Sequence, residues 1–162
     1  MILCLETSTT RCSAAIGWGQ QVLASRALDA PEGGHAAALA PLTDELLKEL
    51  HASGQELRAI AVSAGPGSYT GLRISTSLAK GLCLGLQLPL IAIDTLELIA
   101  ARAIAHLHEG ETPTIHPMLD ARRMEVYTAS FTNTRKRLSE DLPVVLSAEA
   151  PLFSEGKHLL VG

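Results

Sequence analysis

Ala59-Ile60-Ala61-Val62-Ser63-Ala64-Gly65-Pro66-Gly67-Ser68-Tyr69-Thr70-Gly71-Leu72-Arg73 is the stretch on which the fold turns. Its first six residues are a short, largely apolar run, which reads as a buried strand. Gly65-Pro66-Gly67 stops that strand in a tight turn. Ser68 or Thr70 then caps a helix from about Gly71 to Leu86. Between Leu72 and Leu86 the only charges are Arg73 and Lys80. They lie seven apart and share one stripe with Ser77 and Leu84. A helix apolar nearly all round is covered nearly all round. In a chain of 162 residues, part of that cover is expected from another chain.

A glycine-rich turn before a helix can cradle a phosphate. This one has neither the Gly-Lys-Ser/Thr ending of a P-loop nor a G-x-G-x-x-G with an acid downstream. It reads as a structural hinge. Composition narrows the rest. The chain is 47% hydrophobic but 3% aromatic, so Leu, Ala, Ile and Val must build the core. A formal net charge of −4 disfavours binding nucleic acid through bulk charge. Cys4, Cys12 and Cys83 form no C-x-x-C, which suits plain buried thiols in a reducing cytosol. Met1-Ile2-Leu3-Cys4-Leu5-Glu6 lacks the basic start of a signal peptide, and no apolar run is long enough to span a bilayer.

Working outward from the hinge, Ile2 to Leu5, Cys12 to Trp18 and Val22 to Leu28 read as three strands of an antiparallel meander. Pro31-Glu32-Gly33-Gly34 breaks the pattern. A helix from about His35 to His51 follows, with Leu39, Leu42, Leu46 and Leu50 on one apolar stripe and Ala36, Ala40, Thr43 and Leu47 on a second. That arc is wider than one sheet face needs. Pro41 is expected to kink the first turns. After the hinge, Leu90 to Ile93 is a strand, and Asp94-Thr95 caps a helix reaching about His108. The order β-β-β-α-β-α-β-α predicts a mixed α/β sheet of ribonuclease-H-like type, as in each lobe of actin-like ATPases.

The pattern then restarts. Thr114 to Leu119 is apolar and ends on Asp120, Ala121-Arg122-Arg123 turns, and Met124 to Phe131 is a strand. A first lobe over 1–110 and a partial second lobe over 111–162 are expected. Val144 to Leu146 reads as an edge strand after a polar loop. His158-Leu159-Leu160-Val161-Gly162 reads as the middle of a buried strand, which suggests a C-terminally shortened chain.

Glu6 and Asp120 are the sharpest candidates for chemistry. At the ends of the first strands of two actin-like lobes, such acids would face each other and place a magnesium ion or water at a nucleotide phosphate. The turns after them, Thr7-Ser8-Thr9 and Ala121-Arg122-Arg123, lack the glycine that phosphate-gripping hairpins use. The pair therefore reads as vestigial, and no catalytic residue is assigned. The six histidines are dispersed and no H-E-x-x-H occurs, so no metal site is expected. No G-x-S-x-G surrounds Ser8, Ser63 or Ser68. Arg122-Arg123 and Arg135-Lys136-Arg137 are small basic clusters: solvated turns, or minor contacts to RNA backbone.

Ile2-Leu3-Cys4-Leu5-Glu6-Thr7-Ser8-Thr9, Ser63 through Ile74, Leu78-Ala79-Lys80-Gly81-Leu82, Asp120-Ala121-Arg122 and Glu125-Val126-Tyr127 resemble the bacterial TsaB (YeaZ) family. That family usually has Asp where this chain has Glu6. The resemblance implies a two-lobed actin-like fold and a cytoplasmic subunit of the complex that makes N6-threonylcarbamoyladenosine beside the tRNA anticodon. It implies a non-catalytic role, with the paralogue TsaD carrying the chemistry and TsaE as a further ATP-binding partner. It also implies dimerisation with TsaD, or with a second copy, through the first two helices. Together with the stripes read above, this gives an interface of Ala36, Ala40, Thr43, Leu47, Arg73, Ser77, Lys80 and Leu84. ATP or ADP at the shared interface, and tRNA contact only within the complex, belong to the same expectation. An actin-like ATPase or kinase using Glu6 and Asp120, and a glycoprotease-like peptidase, are the alternatives.

Overall fold

The computed structural model describes residues 1–29, 34–147 and 156–162. Two units are present, Met1–Ile93 and Asp94–Gly162. The first runs β1 (Ile2–Glu6), β2 (Arg11–Trp18), β3 (Gln21–Asp29), α1 (Gly34–Ala52), β4 (Ala59–Gly65), α2 (Tyr69–Leu86) and β5 (Leu90–Asp94). Its sheet has the order β3-β2-β1-β4-β5, with β1 antiparallel to β2, β2 antiparallel to β3, and β1 parallel to β4. This is the ribonuclease-H-like arrangement of an actin-like lobe.

The core sits between this sheet and the two helices. Leu3, Leu5, Cys12, Ala14, Ile16, Ile60 and Val62 face Leu39, Leu42, Leu46 and Leu50 of α1. The expected leucine stripe thus meets the sheet. Helix α1 continues through Pro41, which lies on its exposed side. The break expected over Pro31-Glu32-Gly33 lies outside the described residues. Helix α2 approaches the sheet with small residues: Gly71, Ser75 and Ala79, four apart, are its buried positions. Its outer side is not covered all round by its own chain. Of the three thiols expected to be buried, only Cys12 is; Cys83 is half-buried and Cys4 exposed.

The second unit comprises α3 (Thr95–Ile104), β6 (Thr114–Arg122), β7 (Glu125–Thr128), β8 (Leu142–Val145) and β9 (His158–Val161). Its sheet order, β8-β7-β6-β9, repeats that of β3-β2-β1-β4, with the same antiparallel pairs and the same parallel one. Leu96, Ala100 and Ala103 of α3 pack with Ile115, Ala129 and Phe131. Asp94 caps α3, its carboxylate accepting from the Glu97 N–H at 2.9 Å. The helix ends four residues before the expected His108. The His106 and Leu107 amides bond three residues back, to Ala103 and Ile104, and Leu107 turns in to pack on this core. The strand expected over Met124 to Phe131 is also shorter. It stops at Thr128, and Phe131 re-pairs with Ile115 as an isolated bridge.

Candidate functional site

The hinge and the turn after Glu6 form one packed structure. Thr7 and Ser8 follow β1 and are 0% and 3% exposed. The Ser8 carbonyl accepts from the Ser68 N–H at 2.7 Å, and the Thr7 hydroxyl donates to the Gly71 carbonyl at 2.7 Å. A Cβ on Gly67 would lie 2.6 Å from the Ser8 carbonyl oxygen, and one on Gly71 would collide with that of Thr7. Gly65 and Gly67 also hold φ of 110° and 155°, which side chains rarely adopt. The hinge glycines therefore make room for the chain's own backbone, in the place where a phosphate cradle would offer space to a ligand. Ser68 closes the arrangement as N-cap of α2, its Oγ accepting from the Gly71 N–H at 3.2 Å.

Glu6 is tied into the same packing. One carboxylate oxygen accepts from the Ser8 N–H at 2.6 Å, and the other accepts from the buried Ser63 hydroxyl. Asp120 holds the matching place in the second unit and likewise accepts from an amide two residues on, Arg122 N–H at 2.7 Å. Unlike Glu6, it is exposed. Among the described residues no group of three or more His, Cys, Asp or Glu could hold a metal ion.

The residues read as a partner interface fall mainly on the outer faces of α1 and α2. Ala36 and Ala40 are exposed on α1, and Leu47 is half-buried. Thr43 is not on that face: it is 2% exposed, and its hydroxyl donates to the Leu39 carbonyl at 2.8 Å. The helical wheel assigned Thr43 to a surface stripe because its period does not reveal that the hydroxyl can satisfy itself on the preceding turn. On α2, Arg73, Ser77, Lys80 and Leu84 form an exposed stripe at seven- and four-residue spacings. Arg73 lies over the Tyr69 ring, 5.4 Å from its centroid. Leu84 is 84% exposed. An open groove of about 390 Å³ lies between the helices, lined by Ala36, Thr70, Arg73, Ile74 and Ser77.

Sequence reading missed one cluster. His116 on β6 is buried; its Nε2 lies 2.9 Å from His158 Nδ1 on β9, and its Nδ1 lies 3.1 Å from the Ser130 hydroxyl. Burial, reinforced by His158, holds the His116 imidazole below its ordinary value. The strand pairing of Thr114 with His158 creates the cluster. A partner forty-two residues away leaves no local signal.

Comparison with known proteins gives the following. Residues 27–149 match the family model described as TsaD, tRNA N6-adenosine threonylcarbamoyltransferase. The tRNA threonylcarbamoyladenosine biosynthesis protein TsaB of Escherichia coli K12 is 31% identical over 150 residues, covering 91% of this chain and 63% of that protein. Its namesake in Haemophilus influenzae is 33% identical, covering 84% and 56%. That of Bacillus subtilis is 38% identical over 109 residues, covering 67% and 45%. The chain thus spans about half to three fifths of the length of these curated relatives. Among solved structures, YeaZ from Pseudomonas aeruginosa superposes with a TM-score of 0.79 at 28% identity, over 99% of this chain and 74% of that one. No helix among the described residues is long and apolar enough to cross a membrane.

Proposed function

The chain belongs to the TsaD family, on its TsaB (YeaZ) side, and from that premise we propose that it is a docking subunit, without catalysis of its own, in the threonylcarbamoyladenosine modification of tRNA. The observation that carries this reading is the outer face of α1 and α2. Leu84 is 84% exposed on α2 with the exposed Ser77 and Gly81, Ala40 is exposed on α1, and an open groove lined by Ala36, Arg73 and Ser77 lies between the helices. Small residues next to an exposed leucine favour close approach of a second pair of helices. The occupant is a TsaD-type paralogue, with a second copy of this chain taking its place when that paralogue is absent. Catalysis then falls to the partner. Within this chain the hinge space is filled by Thr7 and Ser8, and Glu6 already accepts two hydrogen bonds. A nucleotide in the assembly would lie at the shared interface, a TsaE-type ATPase would join as a further partner, and tRNA would engage the complex in the cytosol.

The test is Ala40→Glu combined with Leu84→Glu. Both positions are exposed, so the fold tolerates them. Buried carboxylates at the docking face should weaken association at least tenfold, a loss of about 1.4 kcal/mol or more. Gel filtration of the chain, alone and mixed with a TsaD-type subunit, reads this directly, with circular dichroism checking the fold. Unchanged complexes would overturn the docking reading. Tight Mg-ATP binding by the isolated chain, lost in Glu6→Ala, would replace it with that of an ATP-using enzyme.

A further inference from the structure

The tip of the β6–β7 hairpin is built against the preferences of its own backbone. The ladder pairs Arg122 with Glu125, so Arg123 and Met124 are the two central residues of the turn. Their φ angles are 55° and 62°, the sign pattern of a type I′ turn. Such turns favour Asn-Gly because both central residues must be left-handed. Arg122 is left-handed too, at 71°, next to the bulge that interrupts the ladder between Asp120 and Arg122. Bulge residues of that conformation are ordinarily glycine. Three consecutive positions that favour Gly or Asn therefore carry Arg, Arg and Met. They make up three of the five positive-φ residues other than glycine among the described residues.

The surroundings hold the strain in place. Asp120 accepts from the Arg122 N–H at 2.7 Å, and the Met124 carbonyl accepts from the Leu146 N–H at 2.6 Å. The side chains do nothing for the fold in return. Arg122, Arg123 and Met124 are all exposed, Met124 by 68%, and among the described residues no carboxylate pairs with either guanidinium. Strained backbone carrying solvent-facing functional groups is the pattern of a binding element.

We propose that Arg122 and Arg123 form a phosphate-backbone contact, presented to tRNA by the assembled complex; this rests on the tRNA reading above. Two adjacent guanidiniums offer two planar donor forks, each able to hold a phosphate bidentately. Asp120 and Glu125 flank them, so the tip has no large net field. It acts by hydrogen-bond geometry close to the RNA, which agrees with a chain of net charge −4.

The experiment uses R122G/R123N/M124G, which gives the backbone the residues it favours, with R122K/R123K keeping the charge. Unfolding midpoints, partner association by gel filtration, and binding of fluorescent tRNA over a salt series are measured, for the complex and for the isolated chain. The triple variant should unfold at the same or a higher temperature. Its complex should bind tRNA roughly tenfold more weakly, with a salt slope smaller by about one to two. The lysine variant should keep most of that slope. Unchanged tRNA affinity and slope in the folded triple variant would overturn the proposal. So would loss of partner association with tRNA binding intact, since the tip would then be a protein contact. A wild-type chain that joins no TsaD-type partner would defeat the docking reading instead; the tip is then judged on the isolated chain, where unchanged tRNA binding by the triple variant, or none by the wild type, overturns it.

Discussion

The two hairpins that follow Glu6 and Asp120 hold the same place in two sheets of the same strand order, and they have opposite fates. Both acids accept from an amide two residues on. After Glu6, Thr7 and Ser8 are buried beneath Gly67 and Gly71, and their polar atoms bond to the hinge. After Asp120, Arg122, Arg123 and Met124 stand in solvent in left-handed conformations. A strand–acid–turn–strand pattern thus specifies a hairpin but not its use. Use is decided by what the rest of the unit brings to the turn: in the first, a glycine hinge from β4 and α2.

The sharpest way to break this comparison is to remove the room that the hinge makes. Gly71→Ala places a methyl against the Thr7 carbonyl oxygen, which is backbone and cannot swing aside. Overpacking at such a site should destabilise the chain by about 3 kcal/mol. Urea unfolding followed by circular dichroism measures it. Gly81→Ala in the same helix meets nothing within 4 Å and should be neutral or slightly stabilising, since alanine is the better helix former. Equal effects at the two glycines would mean that the hinge and the Glu6 turn are not packed as described.

Next in size is the contrast between the acids. In Glu6→Ala the Ser63 hydroxyl, 2% exposed, and the Ser8 amide both lose their acceptor. Stranding buried donors should lower stability by about 2 kcal/mol. Asp120→Ala strands an amide that water can reach, and about 0.5 kcal/mol is expected. Denaturant midpoints of the two variants, compared side by side, sharpen or dissolve the distinction between a closed turn and an open one.

Much of this was legible in the sequence, and the reason differs by element. Strands β1 to β5 and helices α1 and α2 lie within about two residues of where alternation, glycine and capping residues place them. Their signals are local. The turn after Glu6 was legible as glycine-free, but its real partner was invisible. Thr7 meets Gly71 across sixty-four positions, and only the parallel pairing of β1 with β4 brings them together. Thr43 misled for the opposite reason: it fits the outer stripe by period, yet bonds its own helix. The left-handed tip at Arg122 to Met124 could not be anticipated, because a turn of that type announces itself through Asn and Gly, and here neither is present.

A last contrast concerns protons. Among the described residues, the buried polar ones of the first unit are Thr7, Ser8, Thr43, Ser63 and Ser75, all hydroxyls that do not titrate, whereas the second unit buries His116. Desolvation, then the neighbouring His158, keeps that imidazole neutral below its ordinary value of 6.5. As pH falls below 6.5 the unfolded chain takes up this proton and the folded chain does not. The unfolded state is thereby favoured, and the stability present above pH 6.5 declines until the folded value is reached. His116 contributes at most one proton to that slope. In His116→Asn, stability measured by urea titration between pH 7.5 and pH 5, a range of about two and a half units spanning the histidine titration, should depend less on pH than in the wild type. An offset constant at every pH would report only lost packing. An unchanged slope would mean that His116 titrates alike in both states.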